Sequence, residues 1–225
     1  MALLADAGYE TIGLDPLIRH LRGERVALPP RPFVLTFDDG RATVPDTTLA
    51  GLGFEATVFV DVGRVAAGDP AYLSWDALDR LQRSGRWEVQ LQSGTGNHVM
   101  QWGPRRGDVG SFYAYRGTDE VLGGWRERVF GDLAWAERQL ALRIDGYRPL
   151  AIAPPGGNYG QVGTNDPEIP RLLLTRLQRS FPAVVTLDGP ALAIRGAGTT
   201  LPLGRLDMSA EDAEGRLRSL LRIAA

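Results

Sequence analysis

The stretch Phe33-Val34-Leu35-Thr36-Phe37-Asp38-Asp39-Gly40 carries a short apolar strand into two adjacent carboxylates and a glycine. Successive side chains along a strand face opposite ways, so Asp38 and Asp39 serve one site only if the chain leaves the strand there. Gly40 permits that exit, because it tolerates backbone angles closed to other residues. Carboxylates forced together at a buried strand end repel each other, and a cation or a shared proton relieves the repulsion. The run therefore reads as a metal site or an acid/base pair, against the plainer alternative of a polar Asp-Gly turn.

Working outward, strand-like runs alternate with helical ones, the order of repeated strand-helix units on a parallel sheet. Strands are expected at Phe33 to Phe37, Ala56 to Asp61, Trp87 to Leu91, Leu150 to Ala153, Ala183 to Leu187 and Leu203 to Asp207. Helices are expected at Pro16 to Leu21, Trp75 to Arg83, Asp119 to Leu142, Pro170 to Arg179 and Ala210 to Ile223, the last opened by Ser209 and Asp212 as a capping box. The Gly-rich stretch from Gly94 to Gly110, continued through Ser111-Phe112-Tyr113-Ala114-Tyr115, reads as one long loop. Its aromatics either stack on a ligand or pin the loop to the body.

The 225 residues are 44% hydrophobic and 23% charged, which fits one core and one domain spanning residues 1–225. A net charge of -2 without a Lys/Arg block leaves no electrostatic footprint for nucleic acid. There is no cysteine, so thiolate chemistry, disulfides and a Cys-based zinc site are out. No run is long and apolar enough to span a membrane, and Met1 to Asp6 meets a charge before a signal-peptide core develops, so localisation stays open.

Further motifs stand in a familiar order: Phe54-Glu55-Ala56-Thr57-Val58-Phe59-Val60, Tyr72-Leu73-Ser74-Trp75-Asp76, Trp87-Glu88-Val89, a loop ending at His98, and Ala153-Pro154-Pro155-Gly156-Gly157. With Thr36-Phe37-Asp38-Asp39-Gly40, the most specific of them, the chain resembles the polysaccharide deacetylase (NodB-homology) family of carbohydrate esterases over most of residues 1 to 209. The resemblance implies an α/β fold, a distorted (β/α) barrel, with its site at the carboxyl ends of the strands. It implies Asp38 as catalytic base, Asp39 and His98 as ligands of a divalent metal, zinc or another cation, and an amino-sugar polymer as substrate. Pro154, Pro155, Gly156, Gly157 and Tyr159 then form the substrate loop. Ala153 replaces the arginine found in many relatives, and Arg205, at a late strand, is expected to reach the site instead and to join the substrate-binding residues.

The sequence departs from that pattern in its histidines, of which it has two, His20 and His98. His20 lies on an amphipathic helical stretch and reads as a helix-face residue. Where the family places a first imidazole, Gly94 stands in the common register and Gln92 in an alternative one. Catalytic zinc keeps three protein ligands and one open position, so a third would come from Asn97, Gln92, Ser93 or water. Two function classes follow: hydrolysis of N-acetyl groups by metal-activated water, or glycan binding without turnover on the same fold. A magnesium-dependent phosphatase is disfavoured, because aspartates serving one phosphate at a strand end are usually separated by one residue.

Overall fold

The computed structural model describes residues 1–188, Gly196, Gly198, 202–208 and 213–223. In chain order the elements are α1 (Ala2–Asp6), β1 (Glu10–Thr11), α2 (Leu14–Leu21), β2 (Pro32–Phe33), β3 (Thr36–Phe37), α3 (Asp46–Leu52), β4 (Ala56–Asp61), α4 (Val62–Ala66) and α5 (Trp75–Arg83). There follow β5 (Trp87–Ser93), β6 (Val99–Gln101), β7 (Val109–Ser111), α6 (Leu122–Arg143), β8 (Ala151–Ile152), a 3-10 turn (Pro155–Gly157), α7 (Ile169–Ser180), β9 (Ala183–Thr186), β10 (Leu203–Gly204) and α8 (Ala213–Ile223). Six strands form one parallel sheet in the order β10-β9-β8-β5-β4-β3.

The sheet curls into an incomplete barrel. Although β3 and β10 are its two edges, the side chain of Arg205, just past β10, meets Thr36 on β3 and Asp38 just beyond it. The alternation of side chains along each strand divides the core. Val58, Val60, Val89 and Leu91 face outward to the helices, where α6 contributes Trp125, Val129, Leu133, Ala136 and Leu140 and α7 contributes Ile169, Leu173 and Leu177. That three-to-four-residue spacing is the apolar stripe of a helix lying on a sheet, and each fully buried Val or Leu on it is worth roughly 1.5 to 3 kcal/mol.

Inside the curl, Phe59, Ala151, Ala153, Ala183 and Val185 pack with Leu14 and Ile18 of α2. Glu88, near the start of β5, accepts a hydrogen bond from the Leu14 N–H at 2.8 Å, which fixes α2 across the amino ends of the strands. The opposite end is left for the site. The inward positions of β5 are polar throughout, Glu88, Gln90 and Gln92, and each is paired. Gln90 joins β8 to β5 by donating to the Arg148 carbonyl and accepting from the Leu150 and Ala151 N–H groups.

Expectation and structure agree to the residue for β4 and α5. The expected strand Phe33 to Phe37 divides, because Pro32–Phe33 pairs with β1 in a separate two-stranded sheet while Thr36–Phe37 joins β4. The T-shaped contacts of the Phe33 ring with Tyr9 and Phe54 hold the first half where it is. The expected loop after Gly94 contains the antiparallel hairpin β6-β7. Its Gly110 lies so close under the Tyr115 ring that no side chain fits there. Helix α6 starts three residues later than expected, after Asp119 takes a left-handed φ of 62° and Gly117 and Glu120 close a turn. The proposed cap at Ser209 and Asp212 lies outside the described residues.

Candidate functional site

The chain leaves β3 at Asp39 itself, whose φ is 67°, followed by Gly40 at 72°. A left-handed non-glycine residue is strained by about 1 to 3 kcal/mol and persists only where its surroundings hold it. Here the holder is Gln92, the last inward residue of β5. Its Oε1 accepts the Asp39 N–H at 2.5 Å and its Nε2 donates to Asp39 Oδ1 at 3.0 Å. A second amide, Asn97 Nδ2, donates to the same Oδ1 at 3.0 Å, and Arg41 Nε stands 3.3 Å from Oδ2.

Asp38 points to the other side of the turn. The Arg205 guanidinium grips it in a two-point pair, Nη1 to Oδ1 at 2.6 Å and Nη2 to Oδ2 at 2.5 Å, and also donates to Thr36 Oγ1. The same guanidinium lies over the Phe59 ring inside the barrel. The repulsion expected between adjacent carboxylates is thus relieved by separate partners, a guanidinium for one and two amides with Arg41 for the other. Planar two-point pairing also fixes the direction in which Asp38 presents its oxygens.

A third carboxylate, Asp61, ends β4 and is buried. Its side chain caps α4 through the Arg64 N–H. Burial pushes its pKa up, while the Arg64 N–H and the nearby Asn97 amide oppose that rise and the nearby Asp39 charge adds to it. Sequence reasoning missed Asp61, although Val58-Phe59-Val60-Asp61 repeats the pattern of an apolar strand ending in a carboxylate.

The loop from Gly94 to His98 follows β5. A side chain at Gly94 would put its Cβ 2.6 Å from the Asp132 carboxylate, so space, not backbone angle, keeps this position glycine. Asp132, on α6, accepts from the Thr95 N–H and Thr95 Oγ1, both at 2.7 Å, and from the Tyr113 hydroxyl at 2.6 Å. Tyr113 in turn accepts the Gly94 N–H at 3.1 Å. Burial first, and the Asp132 charge next, push the Tyr113 hydroxyl well above its ordinary pKa, so it remains a donor. No local signal in the sequence marks Tyr113 or Asp132.

His98 is exposed. Its ring packs on Phe112, and its Nδ1 donates to the Thr95 carbonyl at 3.0 Å. Of the other ligands considered, Gln92 and Asn97 face Asp39, whereas the buried hydroxyl of Ser93 finds no partner among the described residues. His20 sits half-buried on α2, which packs at the amino ends of the strands.

After β8, Pro155–Gly157 forms a tight turn with Gly156 and Gly157 at φ 63° and 64°. The Gly157 and Asn158 N–H groups donate to the Pro154 and Pro155 carbonyls, so both are committed within the turn rather than directed at an oxyanion. Gly157 sits against the backbone of Thr186 and Leu187 at the end of β9, and a side chain there would overlap it. Gln161 braces the loop through the Gly157 carbonyl and Asp188, and Tyr159 is half-buried beside it with its hydroxyl pKa raised by burial and by the Asp188 charge.

These residues follow the carboxyl ends of β3, β4, β5, β8 and β10, where barrels of this kind carry their sites. The donors do not fit a zinc centre. Among the described residues no group of three or more His, Asp, Glu or Cys is placed to hold a metal, and the side chains turned to Asp39 Oδ1 present amide hydrogens. An N–H aimed at a carboxylate occupies the direction a cation would need.

No family profile and no curated protein matches the sequence. Solved structures do. The chain is similar to a de-N-acetylase from Aggregatibacter actinomycetemcomitans, at 19% identity and TM-score 0.76 over 91% of this chain and 80% of that one. It is similar to the BpsB deacetylase domain from Bordetella bronchiseptica, at 20% identity and TM-score 0.74 over 91% and 81%, and to IcaB from Ammonifex degensii, at 20% and 0.70 over 98% and 85%. The chain has the polysaccharide deacetylase fold, as its motif order implied.

Proposed function

We propose that this chain binds an N-acetylated amino-sugar polymer at the carboxyl end of the barrel without metal-activated hydrolysis. One observation carries the reading: Asp39, the carboxylate expected to hold a metal, has Oδ1 covered by the amides of Gln92 and Asn97 and Oδ2 approached by Arg41. The polymer class is suggested by the solved neighbours, which are described as deacetylases, and the Pro/Gly turn is supported as part of the site by Gly157 lying against Thr186, whose carbonyl accepts the Arg205 N–H. On this reading Arg205 positions Asp38, while Asp38, Tyr159 and the Pro/Gly turn meet the sugar.

A second reading, N-deacetylation with a divalent metal held by Asp39 and His98, is favoured by the Asp38–Arg205 pair, since a carboxylate held in one orientation suits a general base. The two are separated in one preparation. Titration calorimetry with N-acetylglucosamine oligomers is expected to show binding, and acetate release from the same oligomers is expected to stay at the blank level with or without zinc. Zinc-dependent acetate release puts the second reading first, and absence of binding removes the first.

A further inference from the structure

Asp39 and Asp61 follow the ends of neighbouring strands, β3 and β4, and their backbones touch through the Asp61 N–H and the Asp39 carbonyl at 3.2 Å. Two carboxylates so placed ordinarily call for a cation between them. What the chain provides there is Asn97, whose Nδ2 donates to Asp39 Oδ1 at 3.0 Å and whose amide stands near enough to the Asp61 carboxyl to favour its ionised form. Both neighbours can only accept when ionised, so the amide must turn its nitrogen toward them. Gln92 reinforces this, because its oxygen is fixed on the Asp39 N–H and its nitrogen must therefore face the same Oδ1.

We propose that the Asn97 amide takes the place of a cation between Asp39 and Asp61, so that this end of the barrel is built to stand without a metal. The positive edge of one neutral amide then serves both carboxylates, bonded to Asp39 and near Asp61, and Asn97 is a positioning residue for the left-handed turn at Asp39. Exchanging that nitrogen for oxygen reverses the arrangement. Asn97→Asp sets three carboxylates around one point, an oxygen-rich donor set of the kind that takes manganese, calcium or magnesium.

The test needs no glycan, so its outcome is separate from that of the glycan-binding reading. Melting temperatures of the parent and of Asn97→Asp are measured in chelator and in manganese, with calorimetry of manganese binding. The parent is expected to melt alike in both media. Asn97→Asp is expected to melt lower in chelator and to regain about 5 to 10 °C when manganese stands at roughly 100 times its dissociation constant. Asn97→Ala, which removes the amide without adding charge, is expected to respond to manganese in the same direction. A parent stabilised by manganese or zinc to a similar degree overturns the proposal. So do variants indifferent to the ion, or variants that stay unfolded with the ion present.

Discussion

Exchanging Arg205 for glutamine and Asp38 for asparagine, singly and together, measures the clasp that joins the first and last strands of the sheet. The pair is two-pointed, at 2.6 and 2.5 Å, and its side chains keep 15% exposure for Arg205 and 35% for Asp38. Fully exposed pairs contribute about 0.2 to 1 kcal/mol, whereas breaking a buried one costs about 3 to 5 kcal/mol. Partial exposure places this pair between them, and a coupling of about 2 kcal/mol is expected from the cycle. Arg205→Gln alone should cost about 2 to 3 kcal/mol, since it also loses the contact with Phe59 and the bond to Thr36, and should lower Tm by roughly 4 to 12 °C in a chain of this size. Urea unfolding of the four proteins gives both quantities. A coupling below about 0.5 kcal/mol would mean that the sheet edges are held by other contacts and that the clasp is ornamental.

Two other outcomes follow from the geometry. Gly94→His should destabilise the loop by about 1 to 3 kcal/mol and gain no zinc, because its Cβ meets Asp132, whereas Gln92→His points at Asp39 and should strengthen zinc binding; calorimetry showing the reverse order would refute the placement. The second concerns pH. Burial raises the Glu88 pKa above its usual 4.5, outweighing the Leu14 and Thr57 hydrogen bonds. The folded chain therefore holds that proton longer than the unfolded chain does. The contribution is fully present below the unfolded value and is lost as pH rises through the folded one. Glu88→Gln should flatten that decline in urea midpoints taken from about pH 4 to about pH 8, and an unchanged slope would show that Glu88 is not its source.

Much of the architecture is written locally. The apolar run Ala56 to Val60, the Ser74 cap before Trp75, and the stripe from Trp125 to Leu140 are patterns of neighbours two, three or four residues apart, and backbone geometry alone converts them into strand and helix. The carboxylates at Asp38 and Asp39, and a polar face on β5 through Glu88, Gln90 and Gln92, could be read in the same way. What each of those groups touches could not. Arg205 reaches Asp38 across 167 residues because the sheet curls until its edges meet, and Asn97 reaches Asp39 because the loop after β5 folds back over the end of β3. The same holds for Gly94, whose missing side chain looks in sequence like a lost ligand but is required by Asp132, brought there from the middle of α6. Periodicity specifies which face of an element is buried. Which charge answers another across strand ends depends on strand order, curl and the packing of α6, and those exist only once the whole sheet has formed.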